Sequence, residues 1–167
     1  VLRTTAVAPA GTVAGVPVAS VGDVLLSLCR DFSDLDALLA VDAALHRGLV
    51  TTEGLDAAVA VRRLGAPRLR RLTRVADRRS ESPWETVLRE FHRRADAAVT
   101  PQFEIRDDQG TFVARADLLL DGTRVLHEYD GGRHREVDRH RADLRRERRL
   151  EETGWIRRGF SAPDLLH

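Results

Sequence analysis

The chain has 167 residues, 43% of them apolar, so it can build one solid core or two small units. Its formal net charge is only +1, so global basicity does not mark a nucleic-acid binder, and 5% aromatic content is too low for a stacking platform for single strands. Cys29 stands alone, leaving no internal disulfide or thiolate-rich zinc site; with no secretory signal and no run near the roughly 20 apolar residues of a membrane span, a cytoplasmic chain without a membrane partner is expected.

The chain opens on Val1 and contains no methionine, as expected of a fragment, a processed chain or one read from an alternative start codon. Its first 20 residues are rich in Val, Ala, Thr and Gly, and alternation around Thr12 to Val18 predicts two short strands. After Ser20 the texture turns helical. Val24, Leu25, Leu28 and Cys29 recur at helical spacing, and a second helix is expected from the N-cap Ser33 through Leu35, Leu38, Leu39, Val41 and Leu45 to Gly48. A third runs from about Thr52 to Gly65, and Arg68 to Ala76 forms a shorter fourth. The turn from His46 to Thr51 also fits a helix-turn-helix. Its second helix, however, carries mainly Ala and Val, with Arg62 and Arg63 only at the far end, so a packing hairpin explains it better. Residues 1–79 are thus expected to form a small, mostly helical unit, and Ser80-Glu81-Ser82-Pro83 marks the boundary to a second domain over residues 80–167.

Ser82-x-x-Glu85 reads as a capping box with Pro83 at the first helical position, and Trp84, Val87, Leu88, Phe91 and Ala95 give the helix a core face. Next, Phe103 and Ile105 alternate with Gln102, Glu104 and Arg106. A turn at residues 107–110, a strand from Phe112 to Leu120, an Asp121-Gly122 turn and a strand from Arg124 to Asp130 complete three antiparallel strands in two hairpins. A helix dense in arginine and acid, Val137 to Thr153, leads to a last strand, Trp155 to Phe160, which can pair in parallel. The class expected is α/β.

Asp117, Glu128 and Asp130 interrupt sequence that otherwise wants burial, since Leu118-Leu119-Leu120 follows the first and Val125-Leu126 precedes the second. Residues two apart on a strand share a face, so Glu128 and Asp130 point the same way, and the tight turn makes the strand of Asp117 their neighbour. Three carboxylates so placed repel one another unless a divalent cation stands between them, and oxygen-only ligands suit Mg²⁺ or Mn²⁺. Any one of these acids alone is better explained by a strand meeting solvent; the grouping is what points to a metal. His134, just past Gly131-Gly132, is close enough in sequence to reach such a site. Arginines crowd the region from Arg133 to Arg158. They form either a phosphate-binding patch, with Arg133, Arg135, Arg146 and Arg158 as its candidates, or a solvated face paired at i, i+4 spacing. Asp143, Arg146 and Leu150 share one helix face, and Leu150 should turn that face to the sheet.

Asp117, then Glu128-x-Asp130-Gly131, His134 and Asp143-x-x-Arg146-x-x-x-Leu150-x-x-x-Gly154-Trp155, preceded by Ser82-Pro83-Trp84-Glu85, form an ordered set. From about Ser80 to Leu166 the chain resembles the PD-(D/E)XK nuclease superfamily, in its very-short-patch-repair endonuclease-like branch. The resemblance implies a restriction-endonuclease-like fold, a mixed central sheet flanked by helices, here preceded by the small helical unit. It implies that Asp117 and Glu128 hold the metal, that Asp130 stands where the superfamily usually has lysine, that Glu85 is an outer carboxylate, and that His134 transfers protons; in the nuclease reading the main-chain carbonyl of Tyr129 is a third metal ligand. DNA is the implied partner, and a homodimer follows from two sites cutting two strands. Residues 1–80 are similar to the linker region that follows a winged helix in multidomain relatives resembling abortive-infection antitoxins.

The chain departs from that pattern twice. It has no lysine, so all 27 of its lysine-or-arginine positions are arginine, whose guanidinium stays protonated and cannot act as a general base. Water activation then falls to the metal or to His134. Gly159 precedes Phe160 where the related pattern carries arginine, leaving Arg157 or Arg158 to compensate. Two functions are expected: a metal-dependent endonuclease hydrolysing DNA phosphodiester bonds, or a catalytically weak or inactive nuclease-fold module that binds DNA or regulates a partner, as in a toxin–antitoxin pair. Asp117 and Glu128 favour the first; the missing lysine and Gly159 favour the second.

Overall fold

The computed structural model describes residues 10–60, 63–131 and 146–166. The chain divides into two compact units, Val1–Arg78 and Arg79–His167.

The first unit opens with an exposed antiparallel hairpin, β1 (Gly11–Val13) and β2 (Val16–Val18). Four helices follow: α1 (Val21–Asp31), α2 (Asp34–His46), α3 (Thr52–Ala60) and α4 (Ala66–Thr73). Serines start the first two. Ser20 accepts the Asp23 N–H at 3.0 Å, and Ser33 forms a reciprocal capping box with Asp36. α4 begins two residues before the expected Arg68, because Gly65 caps it and Pro67 sits in its first turn, where no N–H is needed. A side chain at Gly65 would overlap the Leu26 carbonyl, so this approach of α4 to α1 requires glycine. Leu25, Leu26, Cys29, Leu38, Val41, Leu55, Leu69 and Leu72 form the core, each buried leucine contributing roughly 1.5–3 kcal/mol. Asp42 is buried near them, 1% exposed, and accepts the Asp77 N–H at 2.9 Å.

The second unit contains α5 (Pro83–Arg94), β3 (Val99–Arg106), β4 (Phe112–Leu120), β5 (Val125–Tyr129), helical residues 146–152 (α6), β6 (Ile156–Phe160) and α7 (Ala162–Leu166). The sheet order is β3-β4-β5-β6; the first three strands are antiparallel and β6 runs parallel to β5. A parallel neighbour needs a long connection, and α6 lies in it. Of the expected Val137–Thr153 helix only this last part is described; Arg133, His134, Arg135 and Asp143 lie outside the described residues. The architecture is mixed α/β. One apolar cluster joins Leu88 of α5, Leu118 and Leu165; another joins Ile105, Ala114, Ala116, Leu126 and Leu150 of α6. Phe91 and Ala95, expected in the core, are exposed, because they border an open cavity of about 500 Å³ whose other walls include Phe160 of β6 and Leu165 of α7. Among the described residues no helix is long and apolar enough to cross a membrane.

Candidate active site

The β4–β5 ladder runs from Leu120 opposite Val125 to Leu118 opposite His127 and stops there. The next step would set Asp117 against Glu128. At that level the Tyr129 N–H donates to Asp117 Oδ2 at 2.8 Å, so a side chain takes over from the backbone ladder and pins the acid between two strands. Asp117 is therefore inside β4 rather than at a strand end; what ends beside it is the pairing.

The β3–β4 ladder is interrupted at the same level. Pro101 pairs with Leu118 and Phe103 with Ala116, while Gln102 between them has φ +54°. A left-handed backbone at a non-glycine residue costs about 1–3 kcal/mol and persists only where its surroundings impose it. Residues an even number apart on a regular strand share a face. Yet Val99 packs with Leu88 and Leu118, whereas Phe103 packs with Leu126 and Leu150, and Ala116 and Leu118 are divided the same way. The two apolar clusters meet at the row of Gln102 and Asp117, and the acid sits between them.

Ser82 caps α5 as expected, accepting the Glu85 N–H at 3.3 Å. The return half of the box differs. Glu85 Oε2 accepts the Glu81 N–H and the Gln102 side-chain amide, each at 2.9 Å, so the strained glutamine ties Glu85 to the row. Burial pushes the Asp117 carboxyl up to about 6, and the charges of Glu85 and Glu128 add to the rise against the pull of the Tyr129 N–H and Arg146.

Glu128 is 6% exposed and gives both oxygens to arginines. Arg146 of α6 binds Oε1 and also donates to the Arg115 carbonyl at 2.9 Å; Arg157 of β6 binds Oε2 through Nε at 2.6 Å and reaches Asp130 Oδ1 at 3.1 Å. Leu150, four residues beyond Arg146, is buried, so this face of α6 does turn to the sheet and delivers Arg146 to Glu128. Burial opposes the Arg157 charge, but Glu128 and Asp130 outweigh it and hold the guanidinium above its ordinary value. Gly159 pairs with Glu128 in the parallel register, and a side chain there would overlap Asp130 Oδ2. The departure at Gly159 is thus what lets Asp130 lie across β6 toward Arg157. Arg158 pairs with His127, on the other side of β6 from Arg157, and does not join the carboxylates.

The structure therefore brings Asp117, Glu85 and Glu128 into mutual influence and turns Asp130 toward β6. As arranged, no three His, Cys, Asp or Glu side chains among the described residues are grouped to hold a metal ion. The expected convergence of Asp117, Glu128 and Asp130 on one cation is not how these side chains stand, because Glu128 and Asp130 face arginines. The Tyr129 carbonyl accepts the Gly131 N–H at 3.1 Å.

Two features had no sequence signal. Gln102 looked like an ordinary outward strand residue. His92 and His127 are 35 positions apart, yet Nε2 of the first lies 2.7 Å from Nδ1 of the second. His92 Nδ1 is 2.7 Å from the Leu88 carbonyl, so the tautomer satisfying both contacts has His127 donating to His92. Burial first, then His92 and Arg158, push the His127 pKa down. In comparisons with known proteins, no family model, curated protein or solved structure matches the chain.

Proposed function

We propose that the chain is a metal-dependent endonuclease of the PD-(D/E)XK kind, hydrolysing DNA phosphodiester bonds in the cytoplasm. Asp117 carries the reading: a carboxyl withdrawn between strands, raised to about 6, beside Glu85 and Glu128. Acids crowded together away from water oppose folding and are typically kept where chemistry uses them. The mixed sheet with α5 before it and α6 ahead of a parallel β6 is compatible with a restriction-endonuclease-like fold.

The donor set is hard oxygen, which fits Mg²⁺ or Mn²⁺, with Asp117, Glu128 and the Tyr129 carbonyl as ligands and Glu85 as an outer carboxylate. When bound, a divalent ion supplies Lewis acidity toward the phosphate and a water of lowered pKa. Arg146 and Arg157 orient Glu128, and their planar forks suit the oxygens of a phosphate. Arg157 supplies, from β6, the fixed positive charge that Asp130 does not. His134 belongs to the proposal as the proton-transfer group, with Arg133 and Arg135 as phosphate contacts, and a homodimer would set two such sites on two strands.

Calorimetric titration with Mg²⁺ and Mn²⁺, together with nicking of supercoiled plasmid, tests this on wild type and Asp117→Ala. Metal binding and nicking that both vanish in the variant support the proposal; no binding at millimolar metal overturns it. A second reading is favoured by the two arginines on Glu128: a nuclease-like fold whose acids are neutralised from within, binding DNA without cutting. It requires duplex binding that survives both chelator and Asp117→Ala, and no nicking.

A further inference from the structure

We propose that the outward face of α4, with the segment that follows it, is a binding surface for the phosphate backbone of duplex DNA, independent of base sequence. Residues 66–78 carry five arginines, at 68, 70, 71, 74 and 78, against the single acid Asp77, in a chain whose net charge is +1. The buried residues of α4 are Ala66, Leu69 and Leu72. At about 100° per residue, Arg70, Arg71 and Arg74 fall within one arc roughly opposite that buried side, and all three are exposed. α4 contains no acid, so it lacks the i, i+4 pairing by which a merely solvated helix balances its charge.

Three of the five arginines are held in place. Arg68 and Arg71 meet Asp34, and Arg70 donates to the Val59 carbonyl at 2.7 Å. Asp34 offsets part of the charge and leaves the face positive. Among the described residues the Arg74 and Arg78 side chains have no partner. The segment carrying Arg78 is fixed to α2: Asp77 N–H bonds to Asp42, and the Arg78 carbonyl lies 3.2 Å from His46 Nδ1. Pre-ordered cations lose less entropy on binding.

The chemistry of the arc selects its ligand. Arginine forks match phosphate oxygens, and apart from Pro67 the arc shows only arginine, with no amide or hydroxyl to read base edges. It also shows no large apolar side chain to enter a lipid surface. The surface does not rest on the nuclease proposal, since it needs neither metal nor cleavage.

The test is fluorescence anisotropy of the full chain in EDTA with a labelled duplex of about 30 base pairs, long enough to span several phosphate contacts. The comparison is between wild type, the triple variant Arg70→Gln, Arg74→Gln, Arg78→Gln, and the corresponding triple lysine variant. The glutamine variant should bind at least about tenfold more weakly, with the log–log salt slope lowered by about 2–3, while lysine restores binding and unrelated duplex sequences bind alike. Equal thermal midpoints establish that all three proteins are folded. Unchanged binding by the glutamine variant overturns the proposal, as does binding to anionic phospholipid vesicles without binding to duplex. Because EDTA removes cleavage, a failure of the nuclease reading leaves this measurement intact.

Discussion

Asp42 in the helical unit is buried and Asp117 in the sheet unit half-buried, and they differ in what surrounds them. Asp42 accepts a backbone N–H from Asp77, closing the segment after α4 onto α2. Asp117 accepts one N–H as well, but the charges of Glu85 and Glu128 also bear on it. An acid matched to a donor belongs to the frame. An acid set against other acids works against the frame, and on that ground Asp117 carries the proposed function.

The largest expected effect separates the two directly. Asp117→Ala should lower plasmid nicking by about a thousandfold or more, the several kcal/mol that metal-assisted chemistry supplies, while Asp42→Ala should leave the specific activity of folded protein unchanged. A nicking rate retained in Asp117→Ala would erase the distinction.

Next in size is the pH dependence of stability in EDTA. The folded Asp117 titrates near 6, above its ordinary 3.8, so between those values the folded state holds more protons than the unfolded one. Stability therefore falls as pH rises through that window, by up to roughly 3 kcal/mol, and does not return above it. Asp117→Asn should flatten the slope and melt higher than wild type at neutral pH in thermal scans. Identical profiles would show that the carboxyl is not strained by its neighbours.

Arg157→Ala leaves Glu128 buried with one oxygen unmatched and Asp130 without its partner, a loss of about 2–3 kcal/mol in chemical denaturation. Asp42→Ala strands the Asp77 N–H and should cost about 1–2 kcal/mol by the same method. The smallest effect sharpens the role of glycine in β6: Gly159→Ala should cost about 1 kcal/mol by displacing the Asp130 carboxylate, and the cost should shrink when Asp130→Ala is also present. An unchanged cost in the double variant would place the strain elsewhere.

What could be read before the fold was local. Ser33 as a cap, the stop of α2 before Gly48, both hairpins of the sheet and the sheet-facing side of α6 depend on residues within a few positions of one another, where spacing and backbone chemistry act directly. The acids were identified as a group on the same ground. Their partners were not: Arg146 and Arg157 meet Glu128 across 18 and 29 positions, and the Gln102 amide finds Glu85 across 17.

By itself, then, the sequence determined the class and the order of the elements, because periodicity and turn chemistry are short-range. Only the tertiary structure decided that Gln102 would take a left-handed backbone opposite Asp117, that Gly159 would make room for Asp130, that two histidines would come within hydrogen-bonding distance, and that α4 would turn its arginines away from its core. Each of these follows from how a sheet and its covering helices bring distant residues within a few ångströms, where burial and opposing charge set what each side chain must do.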